Sequence, residues 1–190
     1  DKEVCSGCHG IRLLAYRNLK SIGYNDDEIK AFAAENNVNT INDDGEVVER
    51  PARPSDKFVS PYPNDKAARA ANGGAYPPDL SLIVKARPDG ANYLHALLTG
   101  YVDAPAEKKV PDGMYYNKYY SGNLIGMPQP LYDDGVEYAD GTKATPDQMA
   151  KDVTAFLAWA SEPEMEDRKQ LGISVRLFLV LLTALSYFAM

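Results

Sequence analysis

The sequence of 190 residues predicts a mainly α-helical fold with long irregular loops and one C-terminal transmembrane helix. Three observations favour this fold class. Two stretches carry the signature of a capped helix start, and two long stretches rich in proline or glycine lack a sustained hydrophobic period. The last residues, from Leu177 onward, form an unbroken apolar run. We expect one domain over residues 1–161, followed by a juxtamembrane segment and membrane anchor over residues 162–190.

The N-terminal stretch Val4-Cys5-Ser6-Gly7-Cys8-His9-Gly10 contains both cysteines of the chain. Two cysteines separated by two residues and followed at once by histidine are the attachment pattern of c-type haem. One turn of backbone sets both sulfurs against one porphyrin edge, and the histidine can then bind the iron. We therefore predict haem c, bound covalently through Cys5 and Cys8, with His9 as an axial iron ligand.

Other functions of a cysteine pair fit this stretch less well. A structural zinc site needs about four ligands, and His95 is the one histidine outside the motif. A thioredoxin-like redox pair needs a βαβ context, which the sequence around Cys5 does not suggest. A short-loop disulfide stays open, but it gives His9 no role.

Asn25-Asp26-Asp27-Glu28 predicts the start of the first clear helix. Asn25 can cap this helix, and Glu28 stands where a capping box requires its carboxylate. We expect the helix to run to about Asn36. From about Val38 to Pro78 the sequence shows no sustained period, which predicts a long loop suited to wrapping a flat, apolar prosthetic group.

Two further helices are expected in the second half of the chain. Asp89-Gly90 precedes a short amphipathic helix from Ala91 to Thr99, with Gly100 in the usual C-terminal position. A second irregular stretch follows, from Val102 to Thr142. Thr145-Pro146-Asp147-Gln148 then combines a cap, a first-turn proline and a capping-box partner, and predicts a helix through Trp159.

The C-terminal segment changes from charged to apolar. Fourteen residues from Leu177 span ~21 Å as a helix, short of the ~30 Å hydrocarbon core of a bilayer. Adding residues 173–175 and letting Arg176 snorkel brings the segment near spanning length. A buried terminal helix is the alternative, but apolar residues on every face argue against it. We expect a membrane anchor that is cut short at its far end.

Charge narrows the range of partners. The net charge of -7 and the pI of about 4.9 argue against nucleic acid and favour a basic partner or simple solubility. Two acidic runs, Asp26-Asp27-Glu28 and the carboxylates between Asp43 and Glu49, could steer such a partner by long-range attraction. A solvated face is the alternative reading of these runs.

The second axial ligand decides the chemistry, since methionine opposite histidine gives a closed iron of raised potential that suits an electron carrier. The candidates are Met114, Met127, Met149, Met165, Met190 and His95. We favour Met127, because Gly126 allows close backbone approach and the prolines at 128 and 130 stiffen the loop. Met114 stays possible. We expect Met149 in a helix core, Met165 and Met190 beside or within the membrane segment, and His95 at the surface or in packing.

Taken together, these stretches resemble the cytochrome c1 family, the membrane-anchored haem subunits of the quinol–cytochrome c oxidoreductase (cytochrome bc1 complex, complex III). The matching stretches run nearly end to end: Val4–His9, Ala15–Leu19, Ala67–Asn72, Pro77–Ser81, Leu97–Tyr101, Ile125–Pro128 and Asp152–Pro163. Together they are more specific than the haem motif alone. Members of the family usually carry a longer segment, including a helix, before the haem motif. We expect either a missing segment or compensation elsewhere in the fold.

The resemblance implies a class I cytochrome c-like haem domain. It implies Cys5 and Cys8 as thioether sites and supports His9 and Met127 as axial ligands. It also implies that Arg87 pairs with a haem propionate, and that Tyr93 and Pro78 line the pocket. A guanidinium matches a propionate in geometry, and a buried propionate needs such a partner.

The implied function is electron relay inside an oxidoreductase complex, without a bond-making active site in this subunit. One electron would pass from the Rieske iron–sulfur protein to a soluble cytochrome c. The implied partners are cytochrome b and the Rieske subunit, soluble cytochrome c and the membrane, within a dimeric complex. The haem domain would lie on the periplasmic side of a bacterial inner membrane, or on the intermembrane-space side in mitochondria.

Two other functional classes stay open at this point. One is a free-standing anchored cytochrome c that donates to an oxidase or a photosynthetic reaction centre. The other is a haem enzyme or sensor whose second axial ligand can be displaced. Copurifying subunits would distinguish the first class, and carbon monoxide binding to the reduced protein would support the second.

Overall fold

A computed structural model describes residues 3–189. The α-helices of this part of the chain are α1 (Asp26–Ala34), α2 (Asp65–Ala71), α3 (Gly90–Thr99), α4 (Pro146–Ala160) and α5 (Met165–Phe188). Its strands are β1 (Asn37–Ile41), β2 (Val47–Pro51), β3 (Tyr115–Tyr116) and β4 (Leu124–Ile125). Turns of 3-10 helix cover Cys5–Gly7, Tyr16–Ile22 and Ser121–Asn123. The predicted mainly helical fold is therefore confirmed.

Helices α1 and α4 begin where the sequence predicts. Asn25 Oδ1 accepts hydrogen bonds from the N–H groups two and three residues on, and Glu28 Oε2 accepts from the Asn25 N–H at 2.8 Å. This is a complete capping box. Thr145 Oγ1 accepts from the Gln148 N–H at 3.2 Å. The Gln148 side chain instead donates to Asp152, so the reciprocal half of the second predicted box does not form.

The expectation of an unbroken loop from Val38 to Pro78 is wrong. Strands β1 and β2 pair antiparallel as a hairpin, and helix α2 follows farther along the stretch. The hairpin turn is built around Asn42, whose Oδ1 accepts from the N–H groups of Asp44 and Glu46 at 3.1 and 2.8 Å. Gly45 takes the left-handed φ of +82° that this turn requires.

The core joins the haem-motif region to α3, α4 and the hairpin. Its main cluster is Ile11, Leu14, Leu80, Ile83, Leu94, Val153, Leu157 and Ala160. A second cluster surrounds Tyr16, whose ring stacks on Phe58 with centroids 4.3 Å apart. The residues that follow the haem motif therefore pack into both clusters, Ile11 and Leu14 into the first and Tyr16 into the second.

Helix α3 ends before Gly100 as predicted, but for a different reason. Gly100 has a φ of -92°, so a left-handed backbone does not explain the glycine. A Cβ at this position would lie 2.6 Å from the Tyr119 ring and 2.7 Å from the Ala96 carbonyl oxygen. Close packing is what requires glycine here.

Helix α5 is long and apolar enough to cross a membrane. Its 24 residues span ~36 Å. Its most apolar window has a mean hydropathy of 1.9, and none of that window is buried against the rest of the protein. The helix starts at Met165, upstream of the apolar residues from which we predicted it. Met190 lies outside the described residues.

Candidate functional site

The haem motif forms one turn of 3-10 helix at Cys5–Gly7. The N–H groups of Cys8 and His9 both donate to the Cys5 carbonyl oxygen, at 3.1 and 2.9 Å. This turn carries the two thiols and the imidazole on adjacent backbone. Cys5 is half-buried and Cys8 is exposed, and neither forms a disulfide. Burial raises the pKa of the Cys5 thiol, so the group favours its protonated form.

The imidazole of His9 is oriented by a backbone carbonyl. Its Nδ1 lies 2.7 Å from the Pro78 oxygen. Because a carbonyl oxygen can only accept, Nδ1 carries the proton and Nε2 keeps a free lone pair in the neutral ring. Burial lowers the pKa of His9, although the bond to Pro78 opposes this shift. Histidines that bind metals usually donate their other ring N–H to an acceptor of this kind.

Cys5 and His9 share a cavity of about 820 Å³. This volume falls within the range of roughly 300–1,000 Å³ that is usual for cofactor and ligand pockets. Its apolar lining includes Tyr16, Phe58, Leu98, Leu131, Met149 and Val153. Met127, Arg87, Tyr93 and Pro78 are not among the described residues that line it.

The donor chemistry fits haem better than a zinc ion. Within residues 3–189, no three histidine, cysteine, aspartate or glutamate side chains come close enough to hold a metal ion by themselves. The site offers two thiols beside one imidazole nitrogen, which suits a group that brings its own equatorial ligands. A porphyrin is such a group.

Met127 is half-buried in the loop after β4. The Tyr101 hydroxyl donates to its carbonyl oxygen at 3.0 Å. A Cβ on the preceding Gly126 would lie 3.1 Å from the Ala75 Cβ, so this loop packs just upstream of Pro78. Residues 75–78 span at most ~11 Å between their outer Cα atoms. The Met127 loop therefore contacts Ala75, which lies in the same short segment as the Pro78 carbonyl that binds His9.

The three other predicted pocket residues differ in their surroundings. Arg87 is exposed, and its Nη1 donates to the Ala86 carbonyl oxygen at 3.0 Å. Tyr93 is half-buried and packs against the main core cluster. Pro78 is exposed and contacts the site through its carbonyl oxygen. The assignments of Arg87 and Tyr93 to a haem pocket stay predictions.

Of the rival ligand candidates, Met149 lines the same cavity as Cys5 and His9, whereas His95, Met165 and Met114 are not among its described lining residues. Met149 is 5% exposed and belongs to a core cluster of α4. His95 Nε2 lies 2.9 Å from Asp147 Oδ1, so this histidine has a carboxylate partner between α3 and α4. Met165 is 36% exposed at the start of α5. Met114 is half-buried before β3.

Three polar residues have structural roles that the sequence did not predict. Ser81 is 1% exposed and Asn117 has no exposed surface, while the Asp79 carboxylate accepts two backbone N–H groups. The stretch Pro77-Pro78-Asp79-Leu80-Ser81 did carry a signal. Two prolines lack N–H groups, and polar side chains beside them often take over backbone hydrogen bonds.

Comparison with known proteins identifies the family. The sequence model described as the Cytochrome C1 family matches residues 1–190. The chain belongs to the cytochrome c1 family. The fold class that the resemblance implied, a mainly helical cytochrome domain with a terminal apolar helix, agrees with this membership.

Relatives in the cytochrome c1 family come from plants, bacteria and fungi. "Cytochrome c1-2, heme protein, mitochondrial" of Solanum tuberosum is 54% identical over 172 residues, which cover 90% of this chain and 66% of the relative. Cytochrome c1 of Rhodospirillum rubrum is 50% identical, over 96% of this chain and 74% of the relative. The "cytochrome b-c1 complex catalytic subunit, mitochondrial" of Candida albicans is 50% identical, over 97% and 65%. The chain spans 54–66% of the length of the plant relatives it matches.

Proposed function

We propose that this chain is a membrane-anchored c-type cytochrome subunit of a quinol–cytochrome c reductase. Its role is to relay one electron from the Rieske iron–sulfur protein to a soluble cytochrome c. The observation that carries the proposal is the Cys5–His9 turn, in which Pro78 holds Nδ1 and leaves Nε2 free for iron. Relatives named as heme proteins and as a b-c1 complex subunit support haem and the complex.

Each predicted residue has one task in this proposal. Cys5 and Cys8 would hold the macrocycle by thioether bonds, and His9 Nε2 and the Met127 sulfur would bind the iron. Haem supplies the one-electron chemistry when it is bound. Arg87 pairs with a propionate, for which its exposed guanidinium has donors to spare beyond the bond to Ala86.

The remaining pocket contacts come from Tyr93 and Pro78. Tyr93 contributes a ring already packed against the core, and Pro78 contributes the carbonyl that orients His9. A closed iron with two fixed ligands needs little rearrangement between oxidation states. This favours electron relay over the alternative of a haem enzyme or sensor with a displaceable ligand.

Residues 1–161 form the haem domain and residues 162–190 the anchor in this proposal. Helix α5 supports membrane attachment, since its apolar side chains are exposed throughout. The haem domain lies on the periplasmic or intermembrane-space side, where c-type haem is attached. Within the membrane it accompanies cytochrome b and the Rieske subunit, in a dimeric complex.

The β1–β2 hairpin is the surface that attracts a basic electron acceptor. Its carboxylates Asp43, Asp44, Glu46 and Glu49 are all exposed, and no lysine or arginine within residues 3–189 pairs with them. The acidic start of α1 differs. Asp26 binds Lys20 at 2.9 Å, and Asp27 binds Lys30 at 3.1 Å. Of the two acidic runs that the sequence singles out, the hairpin therefore carries the uncompensated charge that suits long-range steering.

The decisive experiment is a pyridine haemochrome assay and a reduced-minus-oxidised spectrum of the full chain purified in detergent. We expect a c-type spectrum whose haem stays with the protein in acidified acetone. Replacing either Cys5 or Cys8 with alanine should remove one thioether bond and shift the haemochrome band. A colourless protein, or haem that is extracted by acid acetone, would refute the proposal.

A second experiment separates the proposed complex subunit from the free-standing cytochrome. The chain is isolated from its native membrane under mild detergent conditions. Copurification with cytochrome b and an iron–sulfur subunit is expected. Isolation with an oxidase or reaction centre instead would favour the alternative.

A further inference from the structure

The loop after the haem motif is fastened to the segment from Pro78 to Ser81 outside any helix or strand. Four hydrogen bonds join them: His9 Nδ1 to the Pro78 oxygen at 2.7 Å, the Leu80 N–H to the Gly10 oxygen at 2.7 Å, the Arg12 N–H to Asp79 Oδ2 at 3.0 Å, and the Leu13 N–H to Ser81 Oγ at 3.0 Å. We call residues 9–13 and 78–81 together the haem-loop clamp.

Two of the acceptors in the haem-loop clamp are side chains rather than backbone carbonyls. Pro77 and Pro78 lack an N–H group, so a regular backbone ladder cannot continue through this segment. The side-chain oxygens of Asp79 and Ser81 act as hydrogen-bond acceptors in place of backbone carbonyls. The Asp79 carboxylate serves a second purpose, since its Oδ1 accepts from the Ser81 N–H at 3.0 Å and fixes the bend of the segment.

The haem-loop clamp is tightly packed. Ser81 is 1% exposed, so its hydroxyl has no access to solvent that could replace the bond to Leu13. A Cβ at Gly10 would lie 2.7 Å from Ser60 Oγ and 3.2 Å from Asp79 Oδ2. Residues 9–13 and 78–81 therefore have little room to slide past each other, and the Pro78 carbonyl stays directed at the His9 imidazole.

We propose that Asp79 and Ser81 are positioning residues for the axial histidine. By holding the Pro78 carbonyl against Nδ1, they fix the imidazole plane and increase the electron density that Nε2 donates to iron. A stronger donor stabilises the oxidised iron, so the haem-loop clamp lowers the reduction potential of the haem. This inference rests on the proposed function, because it requires iron at Nε2.

The test compares variants of the full, haem-loaded chain in detergent. Ser81→Ala removes the acceptor for the Leu13 N–H without changing any charge, and it is the principal variant. Asp79→Asn leaves one oxygen for two N–H donors and also removes a charge. Matched controls are Ser161→Ala, a buried serine that bonds within the end of α4, and Asp140→Asn, a carboxylate that accepts from the Thr142 N–H.

We expect the reduction potential to rise in Ser81→Ala and in Asp79→Asn, and to stay at the parent value in both controls. Hydrogen exchange on the unaltered protein gives an independent measurement. The amides of Arg12 and Leu13 lie outside helices and strands, yet the haem-loop clamp predicts that they exchange as slowly as amides of α4. This measurement does not depend on whether a variant accumulates.

Two results would overturn the inference. One is a parent potential in Ser81→Ala, and the other is unprotected Arg12 and Leu13 amides in the unaltered chain. Either result in a chain that carries thioether-bound haem refutes the positioning role alone. Absence of thioether-bound haem in the unaltered chain refutes the proposed function instead.

Discussion

Asn117 connects the end of α3 to the paired strands β3 and β4, which precede Met127, the predicted iron ligand. Its side chain is fully buried, and its Nδ2 donates to the Leu97 carbonyl oxygen at 2.8 Å. Its Oδ1 accepts from the N–H groups of Tyr119 and Tyr120 at 3.0 and 3.2 Å. A buried amide without such partners would be costly. This single residue therefore fixes α3 against β3 and β4, and the Met127 loop follows β4 directly.

Met127→Ala should abolish the weak near-infrared absorption band that arises from sulfur-to-iron charge transfer. The haem should remain attached, because the substitution does not affect the proposed thioether bonds of Cys5 and Cys8. Absorption spectroscopy of the oxidised protein measures the band. Met165→Ala is the control, since that side chain lies 36% exposed at the start of α5. Survival of the band in the Met127 variant would exclude this methionine as the ligand.

Tyr101→Phe should make the predicted methionine ligand easier to displace at high pH. Burial raises the pKa of Tyr101, so its hydroxyl remains a donor to the Met127 carbonyl under ordinary conditions. Loss of one hydrogen bond costs about 1 kcal/mol, which corresponds to a fall of roughly 0.7 in the pH midpoint of band loss. A spectroscopic pH titration measures this midpoint. Tyr115→Phe, at an exposed position of β3, should leave it unchanged. An unaltered midpoint in the Tyr101 variant would show that the bond does not hold the loop.

Among the larger elements, the hairpin is attached to the core by the packing of Val38 and by the Asp56 carboxylate. Arg50 donates through both terminal nitrogens to Asp56, at 2.6 and 3.0 Å, and the Arg53 N–H donates to the same carboxylate at 2.7 Å. The Asp56 carbonyl oxygen in turn accepts from the Tyr16 N–H at 3.1 Å. The end of β2 is thereby joined to the aromatic cluster behind the haem motif.

Asp56→Asn should destabilise the protein at neutral pH and reduce its sensitivity to acid. The bond to Arg50, with the Arg53 N–H, lowers the pKa of Asp56 from 3.8 to about 2. A lowered pKa contributes stability that is present above pH ~4 and is lost as the pH falls toward ~2. We expect a loss of roughly 1 kcal/mol at pH 7, reduced by solvent screening of this partly exposed pair. Thermal unfolding at pH 7 and pH 3 measures the difference between variant and parent.

Asp44→Asn is the control for that experiment, because the hairpin turn uses the Asp44 backbone N–H rather than its carboxylate. It should unfold like the parent at both pH values. If Asp56→Asn loses as much stability between pH 7 and pH 3 as the parent does, another group is responsible for the acid sensitivity.

The elements that the sequence predicts well have their signals within a few residues. The capping box of α1 needs only Asn25 and Glu28, and the N-cap of α4 is Thr145. The hairpin had a local signal in Asp44-Gly45, but polar residues fill its strands and hide the alternation. The haem-loop clamp could not be predicted, because its partners lie 67 to 70 residues apart in sequence.

The residues of the candidate site likewise fall into those that local sequence predicts and those that depend on tertiary packing. Cys5, Cys8 and His9 are defined by adjacent positions, so the sequence alone identifies them. Met127 is favoured partly by its neighbouring glycine and prolines and partly by the family resemblance, since the approach of Gly126 to Ala75 depends on tertiary packing. The polar residues Asp79 and Ser81 lie beside a proline pair, which signals side-chain hydrogen bonds to backbone, but spacing alone does not identify their distant partners.

For the molecule as a whole, the hairpin carboxylates should control the rate of reaction with a basic cytochrome c. Replacing Asp43, Asp44, Glu46 and Glu49 by their amides should lower the second-order rate at low ionic strength, on the order of tenfold. It should also flatten the decline of that rate with salt, because fewer charges remain to be screened. Stopped-flow oxidation of the reduced protein at several salt concentrations measures both effects.

The matched control neutralises Asp26 and Asp27, whose charges are already paired with Lys20 and Lys30. It should change the rate much less than the hairpin variant does. Equal effects from the two sets would assign the attraction to net charge rather than to the hairpin. A salt-independent rate in the parent would remove electrostatic steering altogether.

The haem-loop clamp has a consequence for biosynthesis. The turn that presents Cys5, Cys8 and His9 closes within its own few residues, whereas the carbonyl that orients the imidazole belongs to Pro78. A nascent chain can thus offer its thiols for ligation long before the second half of the clamp has emerged. In the proposed haem-bound protein, thioether ligation therefore requires only the local turn, whereas the hydrogen bond that orients His9 requires residues 78–81 to pack beside it.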